Sequence, residues 1–290
     1  MNATETLPRA GVVGYPIGHS LSPVLHRHWL ARYGIAGRYD PVEIPPDSFE
    51  SEMARLFAEP DWRGCNVTVP HKEAAFRWVD RRDAAAERLG AVNTLVRLPD
   101  GGVEGRNTDL HGFRRNLETA AAWSADLPGR GAAVVIGAGG AARAVVAALQ
   151  DLGFPLVHVL NRSPGKAEAL ADLLSMPSAP VAAGALDRAP SVLADAALLV
   201  NTTSLGMRGQ PALALDLGPL PTGAFVTDIV YNPLETPLLA AARARGNPTV
   251  DGLGMLLHQA APGFRAWFEP PESPVVDTSL RDVVLRALAA

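Results

Sequence analysis

The chain has 290 residues and a formal net charge of −4 at pH 7, and at ~150 residues per domain it suggests about two domains, each with enough chain to bury a core unaided. A single cysteine, Cys65, excludes an internal disulfide and a cysteine-built zinc cluster, and the near-neutral charge argues against a nucleic-acid surface of clustered basic residues. Of the 26 Lys+Arg only two are lysines, Lys72 and Lys166.

Residues 1–10 hold one acid, Glu5, and a proline but no apolar run, so they do not read as a signal peptide. Residues 11–15 read as a strand. Ser22 and Pro23 open a helix, with Ser22 as N-cap and Pro23 as the first helical residue. Residues 39–44 form a second strand closed by Pro45 and Pro46, and 65–69 a third stopped by Pro70. Residues 83–89 are a helix with Gly90 as its C-terminal glycine. Residues 91–98 and 102–106 flank Pro99-Asp100-Gly101, a hairpin signal. A helix over 110–121 follows, with Asp109 a candidate N-cap.

From residue 132 the alternation is more regular. Strands are predicted at 132–136, 156–160, 197–201 and 225–230, with helical stretches between them. That pattern argues for an α/β fold with a doubly wound parallel sheet. Helices over 253–268 and 278–289 close the chain. One apolar stretch, 131–149, has the length of a membrane span. Gly137, Gly139 and Gly140 interrupt it, and β-branched residues give way to alanines, so it reads as strand, turn and buried helix. No membrane segment is expected, and no fixed-period repeat or low-complexity tract is present.

The turn at 137–142 has the context of a dinucleotide-binding fingerprint. Gly137 allows the tight turn, Gly139 lets the backbone approach a pyrophosphate, and Ala142 is small where helix meets strand. The free N–H groups of the helix then face the phosphates. An NAD site usually ends the next strand in an acid that binds the ribose 2′-hydroxyl. Here Asn161-Arg162-Ser163 stands instead, followed by Lys166. Arg162 offers bidentate donors and Lys166 a point charge. Cations at a helix start oppose its macrodipole, which favours a 2′-phosphate partner over an ordinary solvated turn. The expected cofactor is therefore NADP(H).

The first half carries four polar motifs. These are 18–23 (GHSLSP), 66–72 (NVTVPHK), 90–94 (GAVNT) and 105–109 (GRNTD). In an α/β sheet, strand ends bind ligands. Hydroxyls, amides, one amine and one carboxylate suit a small ligand with several hydroxyls and a carboxylate. Each motif also has a plainer role: Ser22 and Asp109 as caps, Asn93 in a turn, His71 as an exposed or structural side chain, Cys65 as a small core residue. The seven histidines show no metal-ligand spacing.

Taken in order, these motifs resemble the shikimate dehydrogenase family over nearly the whole chain. GYPIGHSLSP, GCNVTVPHK, GAVNTL, GRNTD, GAGGAAR, NRS, NTTSLGM, DIVYNP and DGLGMLLHQA carry the resemblance. It implies NADPH-dependent, reversible reduction of 3-dehydroshikimate to shikimate in chorismate and aromatic amino acid biosynthesis. It implies a substrate domain from 1–108 and 253–290 and an inserted Rossmann-type NADP domain at 109–252, with the chemistry in the cleft between them. By resemblance, Ser20 and Ser22 hold the substrate carboxylate. Thr68, Asn93 and Gln259 bind ring hydroxyls, with Tyr231 nearby. Lys72 and Asp109 form the catalytic pair. Gly137, Ala138, Gly139, Gly140 and Ala141 hold the pyrophosphate. Asn161, Arg162, Ser163 and Lys166 hold the 2′-phosphate, and Ile229 and Gly252 line the nicotinamide. The expected protein is cytoplasmic, a monomer or a homodimer, with no metal and no nucleic-acid partner.

Three alternatives stand beside this reading. A quinate/shikimate enzyme working with NAD would carry Thr at Ser22 and an acid at Asn161-Arg162; neither is present. A non-catalytic NADP(H) sensor would lack Lys72 or Asp109; both are present. An aminoshikimate-type paralogue stays open.

Overall fold

The structure, a computed structural model, describes residues 7–289. Residues 1–6, most of the stretch read for a leader, lie outside the described residues. The chain forms two compact units, Met1–Thr108 with Gln259–Ala290, and Asp109–His258.

The first unit is laid down in the order β1 (Arg9–Gly14), α1 (Ser22–Arg32), β2 (Arg38–Glu43), α2 (Phe49–Ala58), β3 (Trp62–Val67), α3 (Lys72–Trp78), β4 (Arg81–Arg82), α4 (Ala84–Leu89), β5 (Thr94–Arg97) and β6 (Val103–Arg106). Its sheet has the order β2-β1-β3-β5-β6-β4. β1 pairs in parallel with β2 and β3, whereas β5 runs antiparallel to β3 and to β6. The antiparallel β5–β6 pair follows from the hairpin at 99–101, where Gly101 takes a φ of 88° that only glycine adopts readily. Phe49, Met53, Trp62, Val92 and Leu95 belong to one buried core cluster of this unit.

The second unit contains α5 (Asp109–Glu118), β7 (Ala132–Ile136), α6 (Gly140–Asp151), β8 (Val157–Asn161), α7 (Pro164–Leu174), β9 (Val181–Ala185), α8 (Ala189–Leu193), β10 (Ala196–Asn201), β11 (Phe225–Asp228), α9 (Pro237–Ala244) and β12 (Thr249–Val250). The sheet order β12-β11-β10-β7-β8-β9 is parallel throughout. This is the doubly wound arrangement, with its order reversing at β7. The chain then enters α10 (Leu253–Phe268), whose residues 259–268 belong to the first unit, and ends in α11 (Thr278–Ala289).

Three local expectations need correction. Ser22 is not an N-cap: Leu21 holds that position, and Ser22 is the first helical residue. The Ser22 N–H instead points to Ser20 Oγ at 3.4 Å, so the upstream serine meets the free donor. Asp109 is likewise the first residue of α5 rather than a residue before it, and that helix ends at Glu118. Residues 181–185 form a strand within a stretch expected to be helical; with only one β-branched residue the run gives little strand signal of its own, and parallel pairing with β8 makes the strand.

Candidate functional site

Residues of the 66–72, 90–94 and 105–109 motifs meet at one end of the first sheet. Val67 N–H donates to Asn93 O at 2.7 Å, and Asn93 N–H to Arg106 O at 3.0 Å. These backbone bonds bring three motifs within side-chain reach. Asn93 Oδ1 then accepts from Thr108 N–H at 2.8 Å, the Thr108 hydroxyl at 3.1 Å and the Thr94 hydroxyl at 3.0 Å. With Oδ1 so engaged, any bond from this amide to a ligand comes through Nδ2. Thr108 Oγ1 also lies 3.5 Å from Gln259 Oε1, which ties the returning α10 to the same cluster. Asn66 sits beneath it, donating to Thr94 Oγ1 at 3.1 Å and accepting the Tyr39 phenol at 2.7 Å. Asn66, Asn93, Thr94, Thr108 and Gln259 are all buried. Buried polar groups at this density are tolerable only when they are paired.

The remaining expected ligand-binding groups rim this cluster. Thr68 is half-buried just beyond β3, its N–H bonded to Val13 O at 2.9 Å. Lys72 is half-buried as the first residue of α3, and its carbonyl accepts Val92 N–H at 3.0 Å. That bond holds the lysine backbone beside the Asn93 segment. Ser22 is buried and Ser20 half-buried at the start of α1. Ser22 stands beside the Tyr39 phenol, whose pKa burial drives well above the usual tyrosine value. His71 has a structural role: it is buried, stacks on Phe49 with centroids 4.8 Å apart, and its Nε2 lies 2.7 Å from Ile44 O.

The second unit carries the other half of the expected residues. Asp109, at the start of α5, is buried and follows Thr108 directly in the chain. Gly137 has a φ of 109°, and a Cβ there would lie 2.6 Å from Thr202 Oγ1. Gly139 is the N-cap of α6 and has no side-chain cap bond. Among the described residues, chain neighbours and the helix's own backbone aside, nothing lies within 4 Å of a Cβ built on Gly139 or Gly140. Packing therefore does not require glycine at those two places, whereas close approach of a ligand to bare backbone does. Ala142, fully buried, fills the helix–strand contact.

Asn161 ends β8, and its Nδ2 donates to Ser163 O at 2.9 Å, closing a turn. Arg162, Ser163 and Lys166 are exposed around the start of α7. No acid stands in 161–166, so nothing there repels a phosphate. These residues fit an NADP-type nucleotide: an open glycine cradle, an uncapped helix start, and two cations near the end of β8.

Ile229 and Gly252 form a close backbone crossing. A Cβ on Gly252 would lie 2.3 Å from Ile229 O, so this glycine is required by the contact itself. Burial raises the pKa of the half-buried Tyr231 and keeps its phenol protonated. Among the described residues no group of three or more His, Cys, Asp or Glu side chains gathers as a metal site would require, and no helix is long and apolar enough to cross a membrane.

Thr94 and Thr108 belong to polar motifs visible in the sequence but have no individual role there, and Tyr39 reads only as a strand residue. The alternation of Asn66 and Thr68 was a usable signal for the buried face. Tyr39 gave none, because a strand tyrosine looks like any core aromatic until its hydroxyl finds Asn66.

Comparison with known proteins follows the same division. A family profile described as shikimate dehydrogenase substrate binding domain matches residues 12–95. One described as shikimate / quinate 5-dehydrogenase matches residues 124–206. A shikimate dehydrogenase (NADP(+)) of Methylobacterium radiotolerans is 54% identical over 288 residues, covering 97% of this chain and 98% of the relative. Among solved structures, shikimate 5-dehydrogenase from Thermus thermophilus in complex with NADP(H) and shikimate is 34% identical, with a TM-score of 0.82 over 97% of this chain and 100% of that one. Quinate dehydrogenase from Corynebacterium glutamicum in complex with NAD is 30% identical, with a TM-score of 0.85 over 97% of this chain and 99% of that one.

Proposed function

This chain belongs to the shikimate dehydrogenase family, and from that premise we propose how its own residues bind and protonate the substrate. The activity is NADP-dependent, reversible reduction of 3-dehydroshikimate to shikimate, a step of aromatic biosynthesis. NADPH, when bound, supplies the hydride.

Ser20 and Ser22 hold the substrate carboxylate through hydroxyl donors at the start of α1. Thr68, Asn93 and Gln259 bind the ring hydroxyls, and Tyr231 adds a neutral phenol donor. Lys72 serves the ketone oxygen, which gains negative charge as its carbon accepts hydride. An ammonium there both neutralises that charge and carries a transferable proton. Asp109 orients the ammonium and keeps it charged by Coulomb attraction. Gly137 to Ala141 take the pyrophosphate, Asn161 to Lys166 the 2′-phosphate, and Ile229 with Gly252 the nicotinamide. As part of the same reading, the enzyme acts on its small-molecule substrate in the cytoplasm, as a monomer or a homodimer.

The observation that carries this reading is the buried set Asn66, Asn93, Thr94, Thr108 and Gln259. Its amides and hydroxyls orient one another within a single unit. Such a network presents fixed donors to a polyhydroxylated ring without reorganising on binding. Steady-state kinetics with shikimate and quinate, each against NADP and NAD, tests it. Shikimate with NADP is expected to give the highest kcat/KM, and a preference for quinate with NAD overturns the reading.

A further inference from the structure

β11 ends at Asp228, whose carboxyl group is wholly buried. Oδ1 accepts the Asn201 side-chain N–H at 3.0 Å and the Val230 backbone N–H at 3.0 Å. Oδ2 accepts the Thr236 hydroxyl at 2.8 Å. The Thr236 oxygen itself accepts Leu239 N–H at 3.3 Å, so its proton is directed at Oδ2. Both carboxyl oxygens act only as acceptors, the pattern of an ionised group. Burial raises the pKa of this carboxyl, and the three donors offset that rise only in part. Among the described residues no cation pairs with it. An unpaired buried anion is costly to keep. The same packing and most of the same bonds are open to an asparagine, so the network alone does not call for a charge.

The charge stands one residue before Ile229. A Cβ on Gly252 would lie 2.7 Å from Asp228 O, so the crossing of Ile229 and Gly252 rests directly on the Asp228 backbone. We propose that Asp228 is a buried anion that stabilises the cationic, oxidised nicotinamide over the neutral, reduced one. The inference rests on the placement of the nicotinamide at Ile229 and Gly252. The oxidised ring carries a positive charge that the reduced ring lacks, and a fixed carboxylate in a water-poor setting acts on that difference. Its consequence is directional: NADPH bound to this chain is a stronger hydride donor than NADPH in water, which favours ketone reduction.

Binding measurements on Asp228→Asn, with no substrate present, test this. The Kd for NADP+ is expected to rise about tenfold, that for NADPH by less than about twofold, and that for adenosine 2′,5′-bisphosphate not at all. A tenfold change in the ratio raises the potential of the bound two-electron couple by about 30 mV. Thr236→Val removes one donor but keeps the carboxylate; it is expected to lower Tm and leave the ratio of the two Kd values unchanged. Should Asp228→Asn not fold, Asp228→Ser removes the charge with a short acceptor in place. Equal changes in both Kd values, or no change in either, overturn the proposal. Ile229→Trp separates that failure from failure of its premise. It is expected to weaken both dinucleotides and spare the bisphosphate. If it spares all three, the nicotinamide does not lie on Ile229, and the proposal falls through its premise.

Discussion

Lys72 and Lys166 are the two positions at which an arginine-rich chain keeps lysine. At Lys72 there is a chemical reason, since a guanidinium stabilises charge but does not release a proton near neutral pH. Lys72→Met is expected to lower kcat by about 10²–10⁴-fold, the usual range for losing a general acid. Lys72→Arg keeps the charge and separates the two roles: recovery of rate by arginine marks electrostatic stabilisation, and no recovery marks proton donation. Near-native turnover of folded Lys72→Met would remove the assignment. At Lys166 no comparable reason exists, because arginine binds phosphate at least as well. The neighbouring Arg162 is the sharper test of cofactor choice. Arg162→Ala is expected to raise the KM for NADP about tenfold or more and to change that for NAD little. Equal effects on both cofactors would take Arg162 out of the 2′-phosphate role.

Among the elements, those with strong local punctuation were legible from sequence. The strand at 132–136 and the helices at 253–268 and 278–289 have the expected bounds. Gly90 takes the expected left-handed conformation after α4, with φ 60°. Side chains whose role depends on distant partners were not legible. Asn66 reads as one polar residue in a strand, and only the fold shows it joining Tyr39 to Thr94. His26 is the clearest case. Its neighbours in sequence suggest a helix surface, yet it is wholly buried and stacked on Tyr39 at 3.9 Å, beside Trp29, Phe264 and Trp267. Among the described residues neither ring nitrogen has a hydrogen-bond partner. Burial far outweighs the nearby Asn66 amide and lowers its pKa from 6.5 to about 3. The native state therefore binds this proton only in strong acid, while the unfolded chain binds it below the ordinary histidine value. Stability is fully present above pH 6.5 and is lost as pH falls from there toward 3. His258, lowered to about 4, acts in the same direction. From His26 alone the loss between pH 8 and pH 5 is roughly 2 kcal/mol. His26→Leu, of similar volume, is expected to flatten the acid limb of a plot of Tm against pH. An unchanged limb would show that the ring is not the group responsible.

At the scale of the whole molecule, the chain order of the two units has a consequence for folding. The Asp109–His258 unit is continuous in sequence, and its core cluster, from Val134 to Ala242, is drawn entirely from within it. The other unit is not continuous. One core, around Phe49 and Trp62, lies within the first 108 residues. The aromatic cluster of Trp29, Tyr39 and His26 is completed only by Phe264 and Trp267. Trp29 Nε1 donates to Val275 O at 3.0 Å, Val275 N–H donates to the Tyr33 hydroxyl at 3.0 Å, and Arg32 pairs with Asp277 at 2.6 Å. A chain ending at residue 108 exposes that aromatic face and leaves the indole N–H without its acceptor. Large buried aromatics each contribute about 3–5 kcal/mol on truncation, against a total stability of about 5–15 kcal/mol for a domain. Residues 109–258 alone are therefore expected to melt cooperatively and to bind adenosine 2′,5′-bisphosphate. Residues 1–108 alone are expected to show no cooperative melt, and joining them to residues 259–290 by a short flexible linker is expected to restore one. A cooperative transition in the isolated 1–108 segment would show that the C-terminal helices cover a core that is already stable without them.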